Sequence, residues 1–187
     1  VSIMPYTFVM NWKLVTDNNE TINDPQLAAE IFNNYFLSIG SNVNISNDYP
    51  LKIRRIPESL LLLPVTEAEV EIAIRNLKPK YSSGYDQISS VTIKKIAHFI
   101  IDPLKYIINR SFEQGIFPSK LKISIIKPLY KKGCHFSVES YRPISLISSF
   151  AKIFEKIIYE RLISFFSAKN ILSNSQHGFR TKLSTIT

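Results

Sequence analysis

Six cations fall between Lys120 and Arg142: Lys120, Lys122, Lys127, Lys131, Lys132 and Arg142, against the single acid Glu139. Cations at this density suit phosphate, which arginine grips with a two-pronged fork and lysine meets as a point charge. A solvated basic loop has the same composition, so the local sequence leaves both readings open. Metal-assisted nucleotidyl transfer needs more, namely carboxylates on rigid elements that hold divalent ions close together. The aspartates are Asp17, Asp24, Asp48, Asp86 and Asp102; none is paired as Asp-Asp or Asp-x-Asp, and none follows the basic stretch. Asp24 and Asp102 stand where helix caps are wanted, and Asp86 where a turn former or cap is wanted. His98, His135 and His177 lack ligand spacing, and His98, set among apolar residues, is expected to be packed. Adjacent Cys134 and His135 make a poor pair for one ion, so no metal site is expected. No serine or cysteine has the setting of a nucleophile elbow, and no Gly-rich phosphate loop occurs. The local chemistry predicts phosphate binding without a catalytic centre.

The elements that must position these residues can be read from caps and periods. Asp24 and Pro25 open a helix over about 24–40 whose apolar residues Leu27, Ile31, Tyr35 and Ile39 recur every four positions, with Gly40 placed to close it. Asp17–Glu20 reads as a turn. Residues 41–64, rich in Asn, Ser and Pro and carrying Lys52, Arg54 and Arg55, form the best linker. Thr66-Glu-Ala-Glu69 is a capping box, followed by the apolar face Val70, Ala73, Ile74 and Leu77. After a loop around Gly84, short helices are predicted over Ser90–Phe99 and Pro103–Gln114, the second capped by Asp102 and stopped by Gly115. Ile123–Ile126 and Tyr141–Ile147 are β-branched and short, and read as the strands of a hairpin. Pro128 and Pro143 confine them to edge or irregular pairing. Ser149–Ala168 is an amphipathic helix with the stripe Ile153, Phe154, Ile157, Ile158, Leu162, Phe165 and Phe166. The fold class predicted is helix-rich α+β with one basic hairpin.

Composition narrows the field further. The chain has 187 residues, of which 45% are hydrophobic and 20% charged, with 12 Phe and 9 Tyr. That excludes global disorder and leaves room for one domain, or one and a small second. The net charge of +8 is uneven: residues 1–77 carry 5 Lys/Arg and 9 Asp/Glu, residues 78–187 carry 18 and 6. Only the second part is suited to a polyanion. A single cysteine excludes an internal disulfide and a cysteine-rich zinc site. No apolar run approaches the roughly 18–20 residues of a membrane span, and the start lacks signal-peptide features. An intracellular protein with no membrane partner is expected, nuclear or cytoplasmic being left open. An uncapped end at Leu183–Thr187 gives the chain the look of a piece of something longer.

Several motifs together resemble the reverse transcriptase domain of non-LTR (LINE-type) retrotransposons. Leu77-Lys-Pro-Lys-Tyr-Ser-Ser-Gly-Tyr-Asp-Gln-Ile88 resembles the Lys-x-x-Ser-x-Gly-x-Asp-x-Ile signature that opens it, with Gln87 where glycine is frequent. Gly115-Ile-Phe-Pro118 and Ile126-Lys-Pro-Leu-Tyr-Lys-Lys-Gly133 are similar to the next two motifs. Ser140-Tyr-Arg-Pro-Ile-Ser-Leu-Ile147 resembles Asn-Tyr-Arg-Pro-Ile-Ser-Leu-Leu, and is the most specific of the set. Lys152–Lys156 with Arg161-Leu162, then Ser175-Gln-His-Gly-Phe-Arg180 with Ser184-Thr185, continue the order.

The resemblance implies an incomplete right-hand polymerase: a spacer or N-terminal arm over 1–64, and over 65–187 the fingers and the start of the palm. It implies that Arg142, Lys131 and Lys132 touch the incoming nucleotide's triphosphate, and that Gln176, Gly178, Phe179 and Arg180 line the template–primer side. The partners implied are an RNA template, a DNA primer and, in the full protein, a dNTP. The family's metal-binding aspartates have no counterpart here, so no catalytic residue or metal is assigned. Mg²⁺ is expected only with the full-length polymerase. The chain alone is expected to be inactive, with a residual RNA- or DNA-binding module or a relic with an apolar surface bared on the Ser149–Ala168 helix as the alternatives.

Overall fold

Thr66 and Glu69 close the predicted capping box. The Thr66 hydroxyl accepts from the Glu69 amide at 3.3 Å, and the Glu69 carboxylate accepts from the Thr66 amide at 2.8 Å. They open one helix of a computed structural model that describes residues 14–15, 21–41, 59–173 and 175–178. The elements are β1 (Leu14–Val15), β2 (Thr21–Ile22), α1 (Pro25–Ser41), α2 (Glu67–Arg75), α3 (Ser90–Lys95), α4 (Ala97–Gln114), β3 (Ser124–Tyr130), β4 (Tyr141–Ile147) and α5 (Ser149–Ala168), with 3-10 turns at Ser119–Lys122 and Val138–Ser140. The architecture is helix-rich α+β. β1 pairs with β2 and β3 with β4, both antiparallel. The predicted turn at Asp17–Glu20, most of the linker with Lys52, Arg54 and Arg55, and the Asp48 position lie outside the described residues.

The main core is built by α2 to α5. Val70, Ala73 and Ile74 of α2, Ile93 of α3, Leu104 and Ile108 of α4, and Ile153, Phe154 and Ile157 of α5 are all buried in it. The predicted helix at Ser149–Ala168 is observed with those bounds, and its first half is covered rather than bare. Phe117 meets Phe154 edge-on at 5.7 Å, and Leu121 packs on the same core, so the chain leading into β3 is anchored there.

Four local expectations are corrected. α4 begins at Ala97, so Pro103 lies inside it and Asp102 is no cap; Asp102 instead pairs with Lys105 at 3.0 Å. Apolar residues upstream of the proline, Ala97, Ile100 and Ile101, keep the period of Leu104 and Ile108 and pack on the core. Their burial outweighs the lost proline hydrogen bond. The same geometry turns His98 outward, where it is exposed and lies tilted against exposed Phe99 with ring centroids 3.7 Å apart, rather than packing inside. In α1, Asp24 caps as predicted, accepting from the Gln26 amide at 3.0 Å. The helix nevertheless runs through Gly40 to Ser41, since one glycine in the last turn costs only about 0.5–1 kcal/mol. The buried stripe of α1 is Ala28 and Phe32, with Leu27 and Ile39 exposed. Ala28 permits close approach, and Phe32 buries more area than the aliphatic residues one position away.

Two clamps join distant segments to this frame. Arg161 of α5 donates to the carbonyl of Leu63, to that of Pro64 at 3.3 Å and to Glu69 at 3.0 Å, and lies over the Phe112 ring. Asn109 of α4 pairs with both backbone groups of Val65, accepting from its N–H at 2.5 Å and donating to its C=O at 3.2 Å. The second clamp is at the loop before α3. Asp86 accepts from the Ile88 amide at 3.2 Å, closing an Asx turn, and from the Ser148 hydroxyl at 2.5 Å. Ser148 in turn caps α5 by accepting from the Phe150 amide. Gly84 lies so close that an added Cβ would sit 2.5 Å from the Ser148 nitrogen and 2.7 Å from the Ile147 carbonyl carbon. Gln87, the departure from the family pattern, has φ of 58°.

Opposite effects are therefore expected at two neighbouring positions. Gly84→Ala must push the backbone at Ile147–Ser148 and destabilise by about 1–3 kcal/mol. Gln87→Gly removes left-handed strain and stabilises by about 0.5–1 kcal/mol. Urea unfolding followed by circular dichroism measures both, and equal signs would contradict this account. Acid sensitivity gives a second test. Burial pushes Glu69 up, but the Thr66 amide bond and Arg161 outweigh it and hold the carboxyl below its ordinary range. A depressed pKa stabilises the fold above the unfolded value of about 4.3 and loses that contribution as pH falls further. The stability gap between the native chain and Glu69→Gln is expected to hold at neutral pH and shrink below about pH 4.3; a gap that stays constant would refute it.

Candidate nucleic-acid interface

β3 and β4 form an unbroken ladder from Ser124 opposite Ile147 to Tyr130 opposite Tyr141. Regular pairing continues straight through Pro128, which faces Pro143 directly. The reason lies in register. The Lys131 amide donates to the Ser140 carbonyl at 2.8 Å, so the hydrogen-bonded pairs fall at 131–140, 129–142 and 127–144. Pro128 and Pro143 occupy a non-hydrogen-bonded pair, where an N–H would point away from the partner strand and no ladder bond is lost. Both strands are edges, as expected. The first strand extends further than predicted, to Tyr130, for the same reason.

Alternation along the ladder sorts the side chains. Arg142 lies across from Leu129, and Lys127 across from Ile144, on one face. Lys127 and Lys131 are both diagonal neighbours of Arg142, at roughly 7–8 Å between backbones. Arg142, Lys127 and Lys131 are exposed, as is Lys132 in the turn. Arg142 has no ion-pair or hydrogen-bond partner among the described residues, so its guanidinium fork is available to an anion. Tyr130 and Tyr141 occupy the opposite face. The structure thus brings three of the predicted cations to one side of one rigid ladder, with Lys132 beside them.

Two hydroxyls that the sequence reading did not single out shape the tip. Tyr130 donates to the Gly133 carbonyl and Tyr141 to the His135 carbonyl, each at 2.8 Å. Tyr130 also stacks on His135 at 3.8 Å and meets Tyr141 edge-on at 5.7 Å. Burial, with Tyr130 and Cys134 adding to it, pushes the Tyr141 hydroxyl above its ordinary range and keeps it a donor at neutral pH. Gly133 adopts φ of 102°, and a Cβ there would stand 2.8 Å from the Ser140 hydroxyl. A pair of tyrosines flanking a glycine turn was the available signal.

The remaining predicted residues stand on another segment. Gln176 and Gly178 follow α5; Gln176 is exposed, its amide donating to the Ser173 carbonyl at 3.0 Å, and Gly178 is partly exposed. Phe179, Arg180, Ser184 and Thr185 lie outside the described residues. Among the described residues no group of three His, Cys, Asp or Glu side chains could hold a metal ion. Asp24, Asp86 and Asp102 are each engaged, by an amide, by Ser148 and by Lys105. No described helix is long and apolar enough to cross a membrane.

What remains is an exposed cationic face on a β-hairpin held by a helical core. No family model matches the chain. It is 36% identical over 129 residues, 68% of its length, to a probable RNA-directed DNA polymerase from transposon BS of Drosophila melanogaster. It is 34% identical over 128 residues, again 68% of its length, to the RNA-directed DNA polymerase from mobile element jockey of the same species. To a probable RNA-directed DNA polymerase from transposon X-element, also of that fly, it is 32% identical over 129 residues, 66% of its length. The matched region is 14% of the length of each of these relatives. The chain belongs to the RNA-directed DNA polymerases of non-LTR transposons and represents part of such a protein.

Proposed function

We propose that the chain carries the N-terminal arm and the fingers of a right-hand polymerase that copies an RNA template into DNA. Residues 1–64 act as the arm, and residues 65–187 as the fingers and the start of the palm. The observation that carries this reading is the shared face of Arg142, Lys127 and Lys131 on the β3–β4 ladder. In the full polymerase Arg142, Lys131 and Lys132 grip the phosphates of the incoming dNTP, Arg142 by its fork. Gln176, Gly178, Phe179 and Arg180 line the path of template and primer. The two Mg²⁺ ions of nucleotidyl transfer are held by carboxylates elsewhere in the full polymerase; within these 187 residues no aspartate follows Asp102. What the chain does by itself is bind phosphates weakly.

Two measurements test this. The purified chain should bind single-stranded RNA or DNA with a dissociation constant on the order of 10⁻⁴–10⁻⁶ M at physiological salt, weakening as salt rises. Replacing Arg142 and Lys131 with Ala should lower affinity and flatten the slope of log K against log salt by up to about 1.4–1.8, the counterion release of two phosphates. Affinity indifferent to salt would exclude phosphate contacts. With Mg²⁺, dNTPs and a primed template, the chain should show no extension; extension surviving purification controls would overturn the division of labour proposed here.

A further inference from the structure

A two-stranded ribbon standing alone is marginal in water. The β3–β4 hairpin is nevertheless long, and its turn, residues 131–140, carries Lys131 and Lys132. Its root is fixed by the main core and by the Gly84–Ser148 contact. Its tip is held by something different. A second hydrophobic cluster, separate from the main core, joins Leu14, Ile22, Ala28 and Phe32 of the N-terminal segment to Val138 and Tyr141 of the hairpin. Phe32 is almost wholly buried there and meets the Tyr141 ring edge-on at 5.1 Å. The Val15 amide of β1 donates to the Phe136 carbonyl in the turn at 3.0 Å. The arm therefore touches the tip by side chain and by backbone, on the face opposite Arg142.

We propose that residues 14–15 and 21–41 act as a splint for the hairpin tip, with Phe32 and Tyr141 as positioning residues for the phosphate contacts of Lys131 and Lys132. Phe32 wedges against Tyr141; the Tyr141 hydroxyl holds the His135 carbonyl; the turn between them presents the two lysines. A tip ordered in advance loses less freedom when it meets an anion, and so binds it more tightly. The splint contacts stand on geometry alone, whereas their effect on binding rests on the proposed phosphate-binding role of the tip.

Hydrogen exchange of the full chain separates the two. In Phe32→Ala the amides of Val15, Lys131, Ser137 and Ser140, all bonded within or onto the turn, should exchange at least about tenfold faster. Val70, Ile93 and Lys152, bonded at the starts of α2, α3 and α5, should be unchanged, which shows that the main core remains folded. Tyr141→Phe, which keeps the ring on Phe32 but removes the hydroxyl, should loosen the turn while leaving Val15 protected. Phe32→Leu should restore much of the protection. Affinity for a single-stranded RNA oligonucleotide should fall roughly threefold to tenfold in Phe32→Ala, although no charge has been removed. Unchanged exchange at Lys131, Ser137 and Ser140 in Phe32→Ala would overturn the splint. If the native chain binds no RNA, the phosphate-binding role fails, and the exchange result still decides the splint.

Discussion

The structure depends on the close approach of Gly84 to Ser148. At that point a loop without regular structure, the end of β4 and the start of α5 meet within van der Waals distance. Three further interactions follow from the contact. Asp86 reaches the Ser148 hydroxyl, Ser148 caps α5, and the neighbouring Ser149 hydroxyl donates to the Ile88 carbonyl at 3.2 Å. The direction in which the hairpin leaves the helical core is set there, because β4 passes into α5 with only Ser148 between them. A side chain at position 84 would force the backbones apart and turn the hairpin, with its cations, relative to the core. Two motifs far apart in the chain, the Ser-x-Gly-x-Asp string and the end of the Tyr-Arg-Pro-Ile-Ser string, are thus two sides of one contact.

That explains why some features were legible in the sequence and others were not. The capping box at Thr66–Glu69 and the limits of α5 depend on neighbours within a few residues, and local chemistry was enough to find them. The hairpin was legible from β-branched runs around a glycine turn, but its length was not. Whether Pro128 and Pro143 interrupt pairing depends on the parity of the register, which is a property of the pair and not of either strand. The start of α4 and the outward turn of His98 were missed because burial of Ile100 and Ile101 prevailed over a proline signal. In α1 the four-residue repeat through Leu27 and Ile39 pointed to a face one residue away from the buried one. Its partner, the aromatic and aliphatic surface around Tyr141 and Val138, is distant in the chain and leaves no periodic mark.

The candidate site divides along the same line. Its charge was readable as composition: six cations and one acid between Lys120 and Arg142. Its geometry was not. That Arg142 shares a face with Lys127 and Lys131, while Tyr130 and Tyr141 take the other, follows from the register and could not be obtained from the list of cations. The tyrosine hydroxyls that hold the turn were missed for a related reason, since a tyrosine beside a turn reads equally well as strand filler. Arg161 belongs to the same class. In sequence it is one more cation in a basic region; in the fold it is a structural residue, shielded by Phe112 and joined to two carbonyls and Glu69. Net positive charge therefore overstates the cations available to a polyanion, since Arg161 is counted in it but is engaged within the fold.

A hairpin fixed at its root by one hydrophobic core and at its tip by another is a mechanically specific arrangement. With the root alone fixed, the cations would sweep a cone about the Gly84–Ser148 contact, and each bound phosphate would have to arrest that motion. With the tip alone fixed, their position would follow the arm and not the helices of the core. Held at both ends, the ladder is a strut, and the pleat sets where the backbones that carry Arg142, Lys127 and Lys131 stand relative to one another. For the proposed phosphate contacts such rigidity favours one arrangement of phosphates over the many that any basic patch would attract, because attraction falls off slowly with distance whereas a fork-shaped contact to Arg142 needs its angle preserved. The two clusters differ in size as well. Among the described residues the core of α2 to α5 buries ten hydrophobic side chains, whereas the arm's cluster buries only Leu14, Ile22, Ala28 and Phe32, so the tip is the end of the strut whose support a few side chains can alter.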